Sequence, residues 1–373
     1  YQSGLYSDQR SLCPVGAKNK LAFIEIARVL CIFLVVLLHS VDMVTGKYGY
    51  TSVTILISTV TRFVVPVFFT ISAFLLAIRH RNPNYSIDTN KFWRSRLQTL
   101  VLPFLVWNVI YMLVEKDLWD VPILSPSTAF NLATGYIQLF FIFVLLQCLA
   151  VYSIIANRFT EKLVRNCLIL FVLASIAFYG LSSYLLWTQG SDGHFFEWTY
   201  GKLIFPWGIF FFWGIWLGYK PQGIVRISRY RFIFLATAII ALIPYLWGTK
   251  LQLLVLGGIS RDYFLITGLP FQFLAATAFL GFLYPLELSI QSNKTALALA
   301  GWGKYMFGVY VAHLALQYYI DQWWNQLFPE AEAFWQITIE TFLAFFLTLA
   351  FVRLCSEPKL SLLNRVLFGG RGT

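Results

Sequence analysis

Two ionisable residues, Arg28 and His39, lie in one apolar segment near the start of the chain, LAFIEIARVLCIFLVVLLHSVD. In an α-helix at ~100° per residue, the eleven steps between them exceed three full turns by about 20°, so both side chains project from one face. At a rise of ~1.5 Å per residue they lie roughly 16–17 Å apart along the axis. Because a charge inside a bilayer costs on the order of 3 kcal/mol, the pair predicts a functional site.

His39 is the candidate catalytic base, because histidine takes and returns a proton near neutral pH. Asp42 follows three residues later, one turn away, and can orient the ring or hold its charged form. The alternative is that His39 is a polar residue hydrogen-bonded at the outer membrane interface.

Arg28 is a candidate ligand for phosphate or carbonyl groups, since its planar guanidinium stays charged. Glu25 lies three residues earlier, so a structural ion pair is the alternative. A donor with phosphates at one end and a reactive group at the other would bridge Arg28 and His39. Acyl-CoA has this shape, although the spacing permits it without requiring it.

The second apolar segment carries Arg62 and Ser72 in TRFVVPVFFTISAFLLA. Arg62 can bind an anionic acceptor or stabilise an oxyanion, or it can pack at a kink caused by Pro66. Ser72 is a weak nucleophile candidate, and a hydrogen bond to the carbonyl four residues earlier is its alternative.

A second histidine, His313, lies in GKYMFGVYVAHLALQYY, with Lys304 nearer the start of that segment and Tyr310 one turn away on the same face. Two histidines on two helices that each carry a cation indicate a shared pocket, whereas one alone is often a core hydrogen-bonding group. The basic run KFWRSRLQTLVLP contains Arg94 and Arg96. It can anchor a helix at the lipid headgroups, hold CoA phosphates, or do both.

The composition predicts the elements that position these residues. Of 373 residues, 58% are hydrophobic and 12% are charged, whereas a soluble protein averages about 25% charged residues. Long apolar runs recur along the chain and predict an all-α, polytopic membrane bundle. The net charge of +11 comes from basic residues between the apolar runs, which excludes a nucleic-acid-binding protein.

Hydropathy predicts about ten transmembrane helices, at roughly 21–44, 53–78, 97–114, 131–156, 167–188, 201–219, 232–248, 263–286, 303–322 and 335–355. Most basic residues fall in alternate loops, so both termini are predicted to be cytoplasmic. We therefore expect one membrane domain at 21–358 between cytoplasmic tails at 1–20 and 359–373. The chain begins at Tyr1 and not at Met, and the first twenty residues are too polar for a signal peptide.

Several kinds of chemistry have no motif in the sequence. It contains no G-x-S-x-G, H-E-x-x-H, Walker A or G-x-G-x-x-G pattern, and without an ATP site a primary pump is excluded. The five cysteines have neither paired nor metal-type spacing, so we expect no metal and no disulfide.

The motifs together resemble those of the acyltransferase-3 family of integral-membrane O-acyltransferases. The spacing R-x10-H at Arg28 and His39 resembles the hallmark of this family. Further similar stretches follow in chain order: RFVVPVFFTISAFLL, KFWRSRLQTLVLPFLVW, GYIQLFFIFVLLQ, GKYMFGVYVAHL and SEPKLSLLNR. The third of these brings in Tyr136 and Gln138. The chain departs from the pattern at Glu25, where the family has Asp, at Ala73, where it has Gly, and at Phe307, near an expected Ser.

The resemblance implies transfer of an acyl group, usually acetyl, from cytoplasmic acyl-CoA to a hydroxyl of an extracytoplasmic glycan or lipid-linked glycan. It implies a multi-pass protein of the cytoplasmic membrane, with the lipid bilayer and the glycan acceptor as partners and a homodimer as a possibility. Some family members carry a fused soluble hydrolase-like domain, and we expect this chain to bind the donor and transfer the acyl group within the membrane without one.

We expect the following roles. Arg28, Arg94, Arg96 and Lys304 hold the CoA moiety. His39 acts as general base or is transiently acylated, Asp42 tunes it, and His313 shares the catalytic pocket. Arg62 lines the outer half, and the remaining substrate-binding residues are Ser72, Tyr136, Gln138 and Tyr310. Two alternatives stay open: a glycan exporter or transporter, and the other large class of membrane acyltransferases, which places its histidine late in a longer chain.

Overall fold

The structure is a computed structural model that describes residues 21–370 except 83, 121, 124, 190, 221, 257–263 and 330–331. The predicted tail at 1–20 lies outside this range. Within it, all regular secondary structure is helical, which confirms the all-α prediction.

The described residues form eighteen α-helices joined by short loops and single helical turns. Their bounds are α1 Ala22–Tyr48, α2 Ser52–Thr61, α3 Val64–Ala77, α4 Thr89–Arg96, α5 Leu102–Trp119, α6 Pro126–Thr134, α7 Phe140–Ile155, α8 Glu161–Gln189, α9 Ser191–Tyr200, α10 Ile204–Tyr219, α11 Gly223–Arg229, α12 Arg231–Leu256, α13 Gly268–Leu283, α14 Glu287–Ser292, α15 Lys294–Ala300, α16 Met306–Leu327, α17 Ala333–Cys355 and α18 Ser361–Phe368.

Eight helical segments in the described residues are long and apolar enough to cross a membrane, which makes this a multi-pass membrane protein. They coincide with eight of the ten predicted spans. The other two positions hold α10, which has 16 residues, and α16, whose stripe of polar side chains lowers its hydropathy. That these two helices cross the membrane, and that both termini are cytoplasmic, stay predictions.

The second span is broken at Arg62 and Phe63, between α2 and α3. Pro66 has no N–H to donate to the carbonyl of Arg62 four residues earlier, so the helical ladder is interrupted at this point. The side chain of Arg62 is buried at the break.

The third span begins with a π-helical turn, Leu97–Val101, between α4 and α5. Pro103 follows directly, and its ring cannot accommodate the carbonyl of Thr99 in a regular α-helix. The wider turn relieves that clash and turns Thr99 toward Gly369 after the last helix.

Helix α10 packs in the middle of the bundle against α3 and α8. Gly214 lets it approach closely, because a Cβ at this position would collide with the backbone of Thr70. A second core lies around α16, between α1, α5 and α17, and it is the core that surrounds the histidines.

Candidate active site

Helices α1 and α16 bring His39 and His313 together, with their ring centroids 5.4 Å apart. The His39 side chain is 16% exposed and that of His313 is fully buried. Two residues that are 274 positions apart in the chain thus form one imidazole pair, here called the histidine pair.

The hydrogen bonds of His313 determine which of its ring nitrogens carries the hydrogen. Its Nδ1 faces the carbonyl oxygens of Val309 at 3.1 Å and Tyr310 at 2.8 Å, and because carbonyls only accept, Nδ1 must carry the hydrogen. The Nε2 atom then carries a lone pair. It is buried and has no hydrogen-bond partner in the described structure, so it is available as a base.

Asp42 lies beside His39 as the spacing predicts. Its Oδ2 is 3.9 Å from Nδ1 of His39, which is too long for a direct hydrogen bond between these two atoms. The carboxylate is about half exposed, so it favours the charged form of the imidazole only through a solvent-screened field.

A cavity of about 470 Å³ opens on the Arg28 side of the histidine pair. Four cationic side chains line it: Arg28, Arg79, Arg96 and Lys304. Its remaining wall is mainly apolar and includes Ile32, Phe68, Phe141 and Leu145, together with Ser72 and Tyr310. A volume of this size is typical of ligand pockets, and the charge of its lining favours an anionic ligand with an apolar arm.

Arg79 is the cavity residue that the sequence interpretation missed. The second predicted span ends at residue 78, but the structure continues it as a helical turn through Ile78–Arg81, which brings Arg79 to the cavity. The adjacent His80 is buried, stacks on Phe159 and hydrogen-bonds Tyr152, and so anchors this turn. Arg94, by contrast, does not line the cavity.

Arg28 forms the ion pair that its position in the sequence allowed, and it also faces the cavity. Its Nη1 is 2.8 Å from the Glu25 carboxylate, and the same side chain lines the cavity. Gly303 packs directly against Glu25, where any Cβ would meet the Cα and Cβ of the glutamate. The missing side chain therefore lets the turn that carries Lys304 pack closely against α1.

Tyr310 joins the cavity to the histidine pair. Its side chain lines the cavity, and its ring centroid is 6.3 Å from that of His313. Its hydroxyl donates to the backbone carbonyl of Gln138. The side-chain amide nitrogen of Gln138 donates in turn to the hydroxyl of Tyr111 at 2.5 Å.

Three of the predicted substrate-binding residues do not line the cavity. Gln138 and Tyr136 are buried in the segment before α7, where the Tyr136 amide donates to Asn108. Arg62 donates to the hydroxyl of Ser58 at 3.3 Å at the break of the second span. The structure thus brings Arg28, Arg96, Lys304, Ser72 and Tyr310 to the cavity, and the histidines next to it.

Comparisons with known proteins identify the family of this chain. A family model described as an acyltransferase domain matches residues 21–356. A curated relative, a probable poly-β-1,6-N-acetyl-D-glucosamine export protein of Staphylococcus aureus (strain MRSA252), is 22% identical over 232 residues. The match covers 60% of this chain and 63% of the relative, so this chain spans under two thirds of its length. No solved structure matches the chain. The chain belongs to the acyltransferase-3 family of membrane acyltransferases.

Proposed function

We propose that this protein is an O-acyltransferase of the cytoplasmic membrane that moves an acyl group, most simply acetyl, from cytoplasmic acyl-CoA to a hydroxyl of an extracytoplasmic glycan. The observation that carries the proposal is the cavity: four cations and an apolar wall line it, and one of its lining residues, Tyr310, lies one helical turn from His313 of the histidine pair.

The cavity suits the donor. The 3′-phosphate and the diphosphate of CoA are anionic. The guanidinium groups of Arg28, Arg79 and Arg96 are planar and permanently charged, and they can donate paired hydrogen bonds to such phosphates. Lys304 adds a compact charge. The apolar wall suits the pantetheine arm, whose thioester would then lie on the Tyr310 side of the cavity, next to His313.

The histidine pair suits the chemistry. His39 takes the proton of the acceptor hydroxyl, and the resulting oxygen nucleophile attacks the thioester carbonyl. The C–S bond breaks, and the proton passes to the CoA thiolate, which leaves as CoASH. His313 packs against His39, with ring centroids 5.4 Å apart, and holds the ring of the base in place. Transient acylation of His39 would use the same groups in two steps.

The direct test is acetyl transfer by the purified protein in lipid nanodiscs. With radiolabelled acetyl-CoA and a β-1,6-linked N-acetylglucosamine tetramer, wild type should release CoA and label the sugar. His39→Ala and His313→Ala should each lower the rate about 10²- to 10⁴-fold, because general-base catalysis contributes that much. Equilibrium binding of acetyl-CoA, unchanged in both variants, is the control for folding. Full transfer by both variants would remove the histidine pair from the mechanism.

The second candidate function is glycan export, and the printed name of the staphylococcal relative favours it. The two functions differ in their need for acyl-CoA. Sugar movement across proteoliposomes without thioester cleavage would favour the exporter, whereas labelled sugar ester would favour the transferase.

A further inference from the structure

On the other side of the histidine pair from the cavity, polar side chains of α16 and α17 meet inside the bundle. We call these six residues the polar seam: His313, Gln317, Asp321, Gln336, Glu340 and Thr341. The first three recur every fourth residue, so they form one stripe along α16. Such side chains are costly between membrane helices, and their number here calls for a function.

The lower half of the seam is tied to the catalytic helix α1. The amide nitrogen of Gln317 donates to the hydroxyl of Ser40 at 2.6 Å and to the carbonyl of Val36 at 3.1 Å. Thr341 donates to the same Ser40 hydroxyl at 2.9 Å. Because Ser40 follows His39 directly, the seam begins at the histidine pair.

The upper half reaches the far ends of the same helices. The amide nitrogen of Gln336 donates to Glu340 at 2.7 Å and to Asp321 at 2.9 Å. Asn325 donates to Asp321 at 3.1 Å and accepts from Lys47, which lies near the end of α1. The seam therefore runs from the imidazoles to the predicted outer surface.

Along this path, four fully buried side chains each have a polar atom with no hydrogen-bond partner in the described structure: His313 Nε2, Gln317 Oε1, Gln336 Oε1 and Glu340 Oε2. The amide orientations are fixed, because the Gln317 nitrogen faces the Val36 carbonyl and the Gln336 nitrogen faces the Asn325 oxygen that accepts from Lys47. His313 Nε2, Gln317 Oε1 and Gln336 Oε1 are therefore acceptors, and Glu340 Oε2 is one when its carboxyl is ionised. The seam lacks hydrogen-bond donors, and leaving buried acceptors unpaired is unfavourable.

We propose that the polar seam is the binding subsite for the hydroxylated acceptor, whose O–H groups donate to these four acceptors and guide one hydroxyl to the histidine pair. The proposal rests on the proposed function and extends it to the acceptor side. A carbohydrate fits, because it presents several O–H donors in a row. Adjacent seam positions on α16 rise by about 6 Å, close to the length of one sugar ring.

Water offers the same O–H chemistry, and the two sources differ in their kinetics. A sugar subsite governs the KM of the sugar acceptor and leaves hydrolysis of acetyl-CoA unaffected. If the seam instead holds a row of water molecules, its residues affect the rate of acetyl-CoA hydrolysis without acceptor and leave the KM of the sugar unchanged.

The test uses Glu340→Gln, which keeps the side-chain size and replaces one carboxyl oxygen by an amide nitrogen, in full-length protein in nanodiscs. With the β-1,6-linked N-acetylglucosamine tetramer as probe, this variant should raise the acceptor KM about tenfold, as loss of a buried hydrogen bond implies. The values of kcat, acetyl-CoA binding and hydrolysis without sugar should stay within about twofold. Thr338→Val is the matched control, because Thr338 is a partly exposed polar residue of α17, the helix of Glu340, and is not part of the polar seam.

An unchanged acceptor KM in an active enzyme would overturn the proposal while leaving the transferase intact, and altered hydrolysis alone would assign the seam to water. If wild type transfers no acetyl group, the proposed function fails, and equilibrium binding of the tetramer then decides. Binding that Glu340→Gln weakens supports the seam as a glycan site, and absence of binding to wild type contradicts it.

Discussion

At the scale of single residues, Arg94 and Arg96 allow a cation that lines the cavity to be compared with one that does not. They lie two residues apart, yet only the guanidinium of Arg96, which also stacks over Phe92 at 5.0 Å, lines the cavity. We expect Arg96→Ala to raise the KM of acyl-CoA about tenfold, because a charge-assisted hydrogen bond to phosphate is lost. Arg94→Ala should leave it within about twofold. Equal effects from both substitutions would show that the run acts only as general positive charge.

The histidines show what residue spacing can predict. The spacing of eleven residues in one helix predicts that Arg28 and His39 share a face. The presence of a cation on each of the two histidine-bearing helices predicts that His313 lies near His39. Arg79 could not be found this way, because its direction depends on how far the second span continues as helix past Ala77. The polar seam could not be found from residue spacing either, because its residues come together only when α16 packs against α17.

At the scale of elements, the approach of α16 to α1 depends on one glycine. A Cβ at Gly303 would meet Glu25, whereas one at Gly301 meets nothing within 4 Å. We expect Gly303→Ala to push the turn before α16 away from α1, displacing Lys304 from its place in the cavity wall and raising the Kd of acetyl-CoA about tenfold. Gly301→Ala is the matched control and should bind as wild type does. Tight binding by Gly303→Ala, measured by calorimetry in nanodiscs, would contradict this.

Helix boundaries were predictable where hydropathy alone decides them. Eight apolar runs became helices long enough to span the membrane, and Pro66 interrupts the second one as expected. The sequence did not predict the π-helical turn at Leu97–Val101, because it depends on a steric conflict between Pro103 and Thr99 that a hydropathy window does not register. Helix α16 is less apolar than a typical span because it carries the seam.

At the scale of the whole molecule, the chemistry is arranged along one direction. Arg28 and Lys47 are 19 residues apart on α1, which is about 28 Å of helix. The cationic cavity lies at the first end, the histidine pair follows, and the polar seam extends to the second end. Such an order suits a reaction whose donor and acceptor occupy opposite sides of a membrane, since each reaches the imidazoles from its own side.

This direction makes sidedness the sharpest test of the whole arrangement. Cytoplasmic-membrane vesicles can be prepared in both orientations, and acetyl-CoA does not cross the bilayer. Because the basic loops predict that the Arg28 end faces the cytoplasm, inverted vesicles should cleave external acetyl-CoA, whereas right-side-out vesicles should do so only after permeabilisation. The sugar tetramer should show the opposite preference. Equal cleavage by sealed vesicles of both orientations, or cleavage confined to the right-side-out set, would mean that the cavity does not face the cytoplasmic donor.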